Sequence, residues 1–274
     1  MIKTTLVAAL MALPAGAAFA TAYTIDLNTP GSTAMTGGSP STINGALYNF
    51  DNIGSGSGTY TDMFRVQANN TESGYNYDGA AKAPFDQVGG VGNPHQLVTD
   101  IPVVTINGTQ YMRLNFDANN KAGLTMTDFR MYVNNSGTPV LVSTTGSLSS
   151  LGSLIYDFNG GAGGPNTLTM TAFPSGSGTD NMTINIPLTL LYQNDPGFNP
   201  ATANVYFYAA FSNSDSGFEE FAIDKSITTN VGNTPVSLAP EPKTVWGGGG
   251  MVAIGLAGLV AKRRKRDGLE AVRL

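Results

Sequence analysis

The sequence predicts an all-β protein, a single antiparallel β-sandwich of jelly-roll-like architecture over residues 21–229. Three observations predict it. Glycine is plentiful, at 34 residues, while only 12% of the chain is charged, so turns are frequent and solvated helical faces are scarce. No stretch of the central region repeats apolar residues at helical spacing over any length. Short runs of β-branched and aromatic residues instead alternate with Gly, Ser, Asn and Pro clusters, the pattern of a sandwich.

The strands follow in chain order. Residues 103–106 read as a strand. Residues 111–116 alternate, with Met112, Leu114 and Phe116 on one face and Tyr111, Arg113 and Asn115 on the other; the first set is the core face. Residues 129–133, 155–158 and 168–172 read as further strands. Met182, Ile184 and Ile186 alternate with Thr183 and Asn185, and Pro187 either ends that strand or puts it at an edge. Residues 205–211 are apolar on both faces, which suits a central strand. The glycine-rich runs at 54–58, 159–164 and 175–178 read as flexible connectors; none carries the Lys-Ser/Thr of a phosphate loop. Residues 230–239 read as a polar stalk.

Two terminal segments flank the sandwich. Lys3, the apolar stretch 6–13, the break at Pro14 and Gly16, and Ala18-Phe19-Ala20 match a secretory signal peptide over residues 1–20, with Ala20-Thr21-Ala22 as a second cleavage candidate. The Sec translocon and signal peptidase are its partners. Residues 245–261 carry no charge. As a helix, at about 1.5 Å per residue, they cover about 25 Å, the short end of a membrane span. The cations Lys262, Arg263, Arg264, Lys265 and Arg266 then hold that end on the cytoplasmic side, leaving a cytoplasmic tail at 267–274. Pro240, Glu241 and Pro242 stand immediately before the span.

Removing both ends changes the charge balance. Eight of the 14 basic residues but only two of the 19 acidic ones lie in residues 1–20 and 243–274, which leaves 6 basic, 17 acidic and a net charge of −11. Such a domain repels nucleic acid and anionic lipid, and the basic cluster is a topology signal rather than a binding patch. The chain has no cysteine, so thiol chemistry, thiolate zinc sites and iron–sulfur clusters are excluded and the fold rests on its own core.

Catalysis has little to draw on. His95 is the only histidine and follows Pro94 in a turn, a structural context. Glu219 and Glu220 are adjacent, so on a strand they point to opposite faces and cannot be a facing carboxylate pair. A distant partner such as Asp117 or Asp157 has no support in the spacing. The expectation is a protein that is not an enzyme. A structural Ca²⁺ is the one cofactor the sequence leaves room for: Asn213, Asp215, Glu219 and Glu220 supply hard oxygens, with Asp117, Asn119 and Asn120 as a second set. Their spacing is not that of an EF-hand, and a polar turn accounts for them equally well. Tyr75 and Tyr77 lie two apart and share a strand face, either as a sugar-stacking platform or as part of a core face.

Pro240-Glu241-Pro242, the apolar span and the Lys/Arg cluster together resemble the PEP-CTERM sorting signal of Gram-negative bacteria, residues 240–266 here. That resemblance implies processing by a membrane-embedded exosortase. It also implies transient inner-membrane anchoring, then delivery to the cell surface, outer envelope or extracellular matrix. Pro240, Glu241 and Pro242 would be the recognition residues. A second resemblance covers most of the exported part. Gly74-Tyr75-Asn76-Tyr77-Asp78-Gly79, the segments 95–103, 111–119 and 124–133, and the closing run 214–223 (SDSGFEEFAI) are similar in order to a group of exosortase-dependent surface proteins. This implies location more than chemistry. The expected function is a non-enzymatic surface or matrix protein associated with exopolysaccharide or biofilm. A carbohydrate-binding module of the biofilm matrix, Ca²⁺-stabilised or not, is the alternative.

Overall fold

A computed structural model describes residues 20–53, 60–77, 85–88, 95–120, 122–161, 165–172 and 180–232. Residues 1–19 of the expected signal peptide, residues 233–239 of the expected stalk, Pro240 to Pro242, the span 245–261, the basic cluster Lys262 to Arg266 and residues 267–274 lie outside the described residues, as do the glycine-rich runs 54–58 and 175–178 and residues 162–164. The chain divides into the units Met1–Pro235 and Val236–Leu274, and all described residues belong to the first. Among the described residues no helix is long and apolar enough to cross a membrane.

The first strands are β1 (Thr21–Asp26), β2 (Met35–Thr36), β3 (Ser39–Pro40), β4 (Leu47–Ile53), β5 (Tyr60–Val66), β6 (Asn69–Tyr75) and β7 (Gln96–Leu97). They are followed by β8 (Val103–Ile106), β9 (Thr109–Ala118), β10 (Thr125–Asn134) and β11 (Ser153–Asp157). The last are β12 (Asn166–Ala172), β13 (Asp180–Pro187), β14 (Asn204–Asp215) and β15 (Glu219–Asp224), with one short helix, α1 (Leu188–Asn194), between β13 and β14. They form two sheets. The first runs β3-β2-β1-β12-β10-β14-β6, with β11 also on β10 and β7 on β14. The second runs β4-β13-β9-β15-β5, with β8 also on β9.

The fold is therefore all-β, with two antiparallel-rich sheets that pack in a sandwich-like manner. One pairing departs from the expected purely antiparallel arrangement: β1 lies parallel to β12, Thr21 beside Asn166 and Ile25 beside Met170. A parallel neighbour needs a long connection rather than a hairpin, and these partners lie far apart in the chain. Nothing in the local pattern of either strand reports such a pairing.

The sheets meet through phenylalanines. Phe129, Phe207 and Phe211 from the first sheet face Phe64, Phe116 and Phe221 from the second, and all six are fully buried. Phe221 is the hub. It stacks on Phe64 at 4.5 Å between centroids and lies 4.9 Å from Phe116 and 5.7 Å from Phe129. The core face read from alternation in 111–116 is correct, since Met112, Leu114 and Phe116 are all buried.

The doubly apolar run 205–211 is part of β14, which sits between β10 and β6. Its inward residues join the phenylalanine core. Its outward Tyr206 and Tyr208 join Tyr75 and Tyr132 in a second cluster, capped by Val142, Leu148 and Leu151. Pro187 is the last residue of β13, a strand paired on both sides by β4 and β9. It ends a central strand and opens α1, so the edge-strand alternative does not hold. Asn230 bridges to Pro102 and Val231 is buried, its N–H donating to Ile101 O at 3.2 Å, so the first residues expected to form a stalk belong to the folded unit.

Candidate functional site

β6, the end of β9, and the crossing from β14 to β15 come together at the candidate site. β14 belongs to the first sheet and β15 to the second, so residues 216–218 carry the chain across the sandwich. The crossing is tightly shaped. Asn213 adopts a left-handed backbone (φ 61°) where the β14–β6 register slips, and Ser216 adopts another (φ 72°). Ser214 Oγ donates to Ala68 O at 2.7 Å, and Ser216 N–H donates to the same carbonyl at 3.1 Å. A Cβ on Gly217 would overlap the Asn119 carbonyl oxygen and lie 2.6 Å from its carbon, so only glycine fits there. The contact lets Asn119 N–H donate to Phe218 O at 2.8 Å.

This crossing delivers Glu219 into the interior, where it is 0% exposed. Glu72, 2% exposed, reaches it from β6 of the opposite sheet. Asn120 Nδ2 donates to Glu219 Oε1 at 2.8 Å, and Ala68 N–H donates to Glu72 Oε2 at 2.8 Å. The remaining oxygens, Glu219 Oε2 and Glu72 Oε1, are both buried, and among the described residues no third group donates to either. Burial pushes the Glu219 carboxyl up to about 10, reinforced by its side-chain hydrogen bond with Glu72 and opposed by the Asn120 amide; the charges of Glu72 and Asp215 raise it further. A carboxyl of that kind holds a proton through neutral pH and shares it with its neighbour.

The structure divides the four oxygen donors expected to act together. Glu219 points inward to Glu72 and Asn120. Glu220 points to the other side of β15 and pairs with Arg65 at 3.2 Å, in a partly exposed contact. Asn213 Nδ2 donates to Gly123 O at 3.3 Å, and Asp215 sits opposite Asn69 at the end of β14. From the second set, Asn120 reaches Glu219, while Asp117 faces the Glu220 side of β15. Among the described residues no group of three or more Asp, Glu or His side chains is placed to hold a metal ion. Glu72 is the member that sequence reading missed. It lies in Asn69-Asn70-Thr71-Glu72-Ser73, a run with the composition of a turn, and only its alternation with Gly74 and Asn76 marks it as inward-facing.

Tyr75 and Tyr77 do share a side, with ring centroids 6.0 Å apart. Tyr75, however, is fully buried, and its hydroxyl accepts from Val142 N–H at 2.9 Å. It offers no open face to a sugar, because the segment between β10 and β11 covers it. The rest of the Gly74-Tyr75-Asn76 run is structural as well. A Cβ on Gly74 would lie 2.6 Å from Val66 Cγ1, and the Asn76 amide extends the ladder beyond β6, donating to Val205 O at 2.8 Å and accepting from Phe207 N–H at 2.6 Å. His95 hydrogen-bonds Asn204 Oδ1 at the start of β14.

A shallow cleft of about 530 Å³ lies elsewhere, between β11 and α1, lined by Asn44, Leu154, Asp157, Leu190 and Asn194. Asn44 Nδ2 donates to Asp157 O and Phe158 O at 2.8 and 2.9 Å, and Asn194 Nδ2 donates to Ile155 O at 2.9 Å. These amides cover edge-strand carbonyls that would otherwise invite another strand. No family model matches this chain, and comparison with curated proteins and with solved structures finds no match either.

Proposed function

We propose that this chain is a non-enzymatic exported protein, sorted to the cell surface or extracellular matrix by an exosortase acting on its C-terminal signal. The observation that carries the reading is the order Pro240-Glu241-Pro242, uncharged span 245–261, cations Lys262 to Arg266. In this reading the span is a transmembrane helix that holds the tripeptide at the membrane surface, and the cations fix its orientation. The signal peptide at 1–20 directs export, and the passenger is a jelly-roll-like β-sandwich. An all-β unit without cysteine and with a net charge of −11 over residues 21–242 is compatible with life outside the cytoplasm, where the acidic surface keeps it soluble. Association with exopolysaccharide or biofilm follows from the destination. The carbohydrate-binding alternative, which rests on Tyr75 and Tyr77, is the less favoured reading because Tyr75 is buried.

Fractionation of the native host tests the reading, with wild type and Glu241→Ala compared. The wild type is expected in the surface or medium fraction and the variant in the inner membrane. Equal retention of both in the inner membrane would refute exosortase sorting and leave a simple anchored β-domain.

A further inference from the structure

We propose that Glu72 and Glu219 form a buried seat for one hard divalent cation, Ca²⁺ by its chemistry, which ties the two sheets together at the β14–β15 crossing. Glu72 and Glu219 lie 147 residues apart in the chain, so sequence spacing does not reveal them as a pair.

Two observations support it. The two carboxyl groups come from opposite sheets, are 2% and 0% exposed, and each keeps one buried oxygen to which no group outside the pair donates among the described residues. Buried carboxylate oxygens facing each other need a positive charge between them, whether a proton or a metal ion. The charges that act on Glu219, those of Glu72 and Asp215, are both negative. Asp215, at the end of β14, adds a further negative charge felt at Glu219, while the nearby cation Arg65 is engaged by Glu220 on the other side of β15. A proton neutralises one charge of this cluster; a divalent ion neutralises two.

The donor chemistry then selects the ion. Only oxygen is on offer here. The chain has no cysteine, and its single histidine is bonded to Asn204. Asn204 lies seven residues along β14 from Phe211, the partner of Glu72, or about 23 Å at the rise of a strand. Zinc and other imidazole- or thiolate-seeking ions are therefore disfavoured. Ca²⁺ accepts carboxylate, amide and water oxygens in irregular arrangements, whereas Mg²⁺ demands a near-octahedral shell. Asn120 now donates its amide nitrogen to Glu219 Oε1. Turning that amide over would present its oxygen as a third protein ligand, with water completing the shell. Two carboxylates and one amide place the affinity in the weak class of extracellular modules, a dissociation constant of roughly 10⁻⁴ to 10⁻³ M.

The test uses the full chain purified in mild detergent. Calorimetric titration with CaCl₂ is expected to show one ion bound per chain. A few millimolar Ca²⁺ is expected to raise Tm by about 3–6 °C over chelator, with a smaller effect of Mg²⁺. Glu219→Gln and Glu72→Gln, which keep the shape of the side chains, are each expected to abolish the rise. Absence of stoichiometric binding to the wild type overturns the proposal whether or not the variants fold, and leaves a proton-sharing pair. An equal rise in wild type and both variants overturns it too, since that would be diffuse screening of an acidic surface.

Discussion

Gly217→Ala is the sharpest probe of how the chain crosses between the sheets. The added Cβ would overlap the Asn119 carbonyl oxygen and lie 2.6 Å from the carbonyl carbon. Both are backbone atoms inside a paired region, so no side chain can rotate away. Relief requires the 216–218 crossing and the end of β9 to part. That separation breaks the Asn119 N–H to Phe218 O bond and pulls Asn120 off Glu219. The first loss costs about 1 kcal/mol and the second, which strips a buried carboxyl oxygen of its donor, about 1–3 kcal/mol. The expected destabilisation is therefore about 2–4 kcal/mol, a large fraction of the stability of an ordinary domain. Gly197→Ala is the control, because nothing lies within 4 Å of a Cβ there; it should fall within about 0.5 kcal/mol of wild type. Urea unfolding followed by circular dichroism measures both. A Gly217→Ala protein within about 1 kcal/mol of wild type would refute the described contact between the crossing and Asn119.

Other expectations follow from the core and the buried carboxyl pair. Phe221→Ala removes the ring that four phenylalanines surround and should cost about 3–5 kcal/mol in the same assay; a cost below about 1 kcal/mol would contradict the packing. Tyr156→Phe removes a hydroxyl that donates to Ile43 O at 2.8 Å and contacts the Tyr48 hydroxyl at 3.0 Å, and should cost about 2 kcal/mol; an unchanged midpoint would count against that buried pair. In chelator, Glu219 keeps a proton in the folded state that the unfolded chain releases above the ordinary value of 4.5. Its contribution is thus full below that value and is lost as pH rises toward about 10. From about pH 5 to about pH 7 wild-type stability should fall by roughly 3 kcal/mol relative to Glu219→Gln, at about 1.4 kcal/mol per pH unit. Parallel pH profiles for the two proteins would exclude the shared proton.

Several strands were legible from the contrast between a buried and an exposed face. Met112, Leu114 and Phe116 declared their face by alternation alone, and the run 205–211 declared a central strand because no side of it is polar. By the same alternation β4 could have been found, since Tyr48 and Phe50 turn inward between Asn49 and Asp51. The candidate site was half legible. Glu219 was named among the candidate oxygen donors, but its partner Glu72 belongs to the other sheet and sits among turn-forming residues. Which of two adjacent glutamates points inward depends on strand register. That register is set by Gly217 against Asn119, a contact between distant segments. Tyr75 shows the same limit from the other direction. Periodicity placed it on a common face with Tyr77 but could not show that the chain from Val142 to Leu151 folds over that face. The parallel β1–β12 pairing is likewise a property of the assembled sheet and has no local signature.

The measurement that bears most directly on the sorting proposal is the intact mass of the protein recovered from the surface or medium of its native host. The account predicts a chain that starts near residue 21 and has lost the span 245–261 and the cations Lys262 to Arg266 by cleavage near Pro242. A surface protein whose mass still includes residues 243–274 would contradict it.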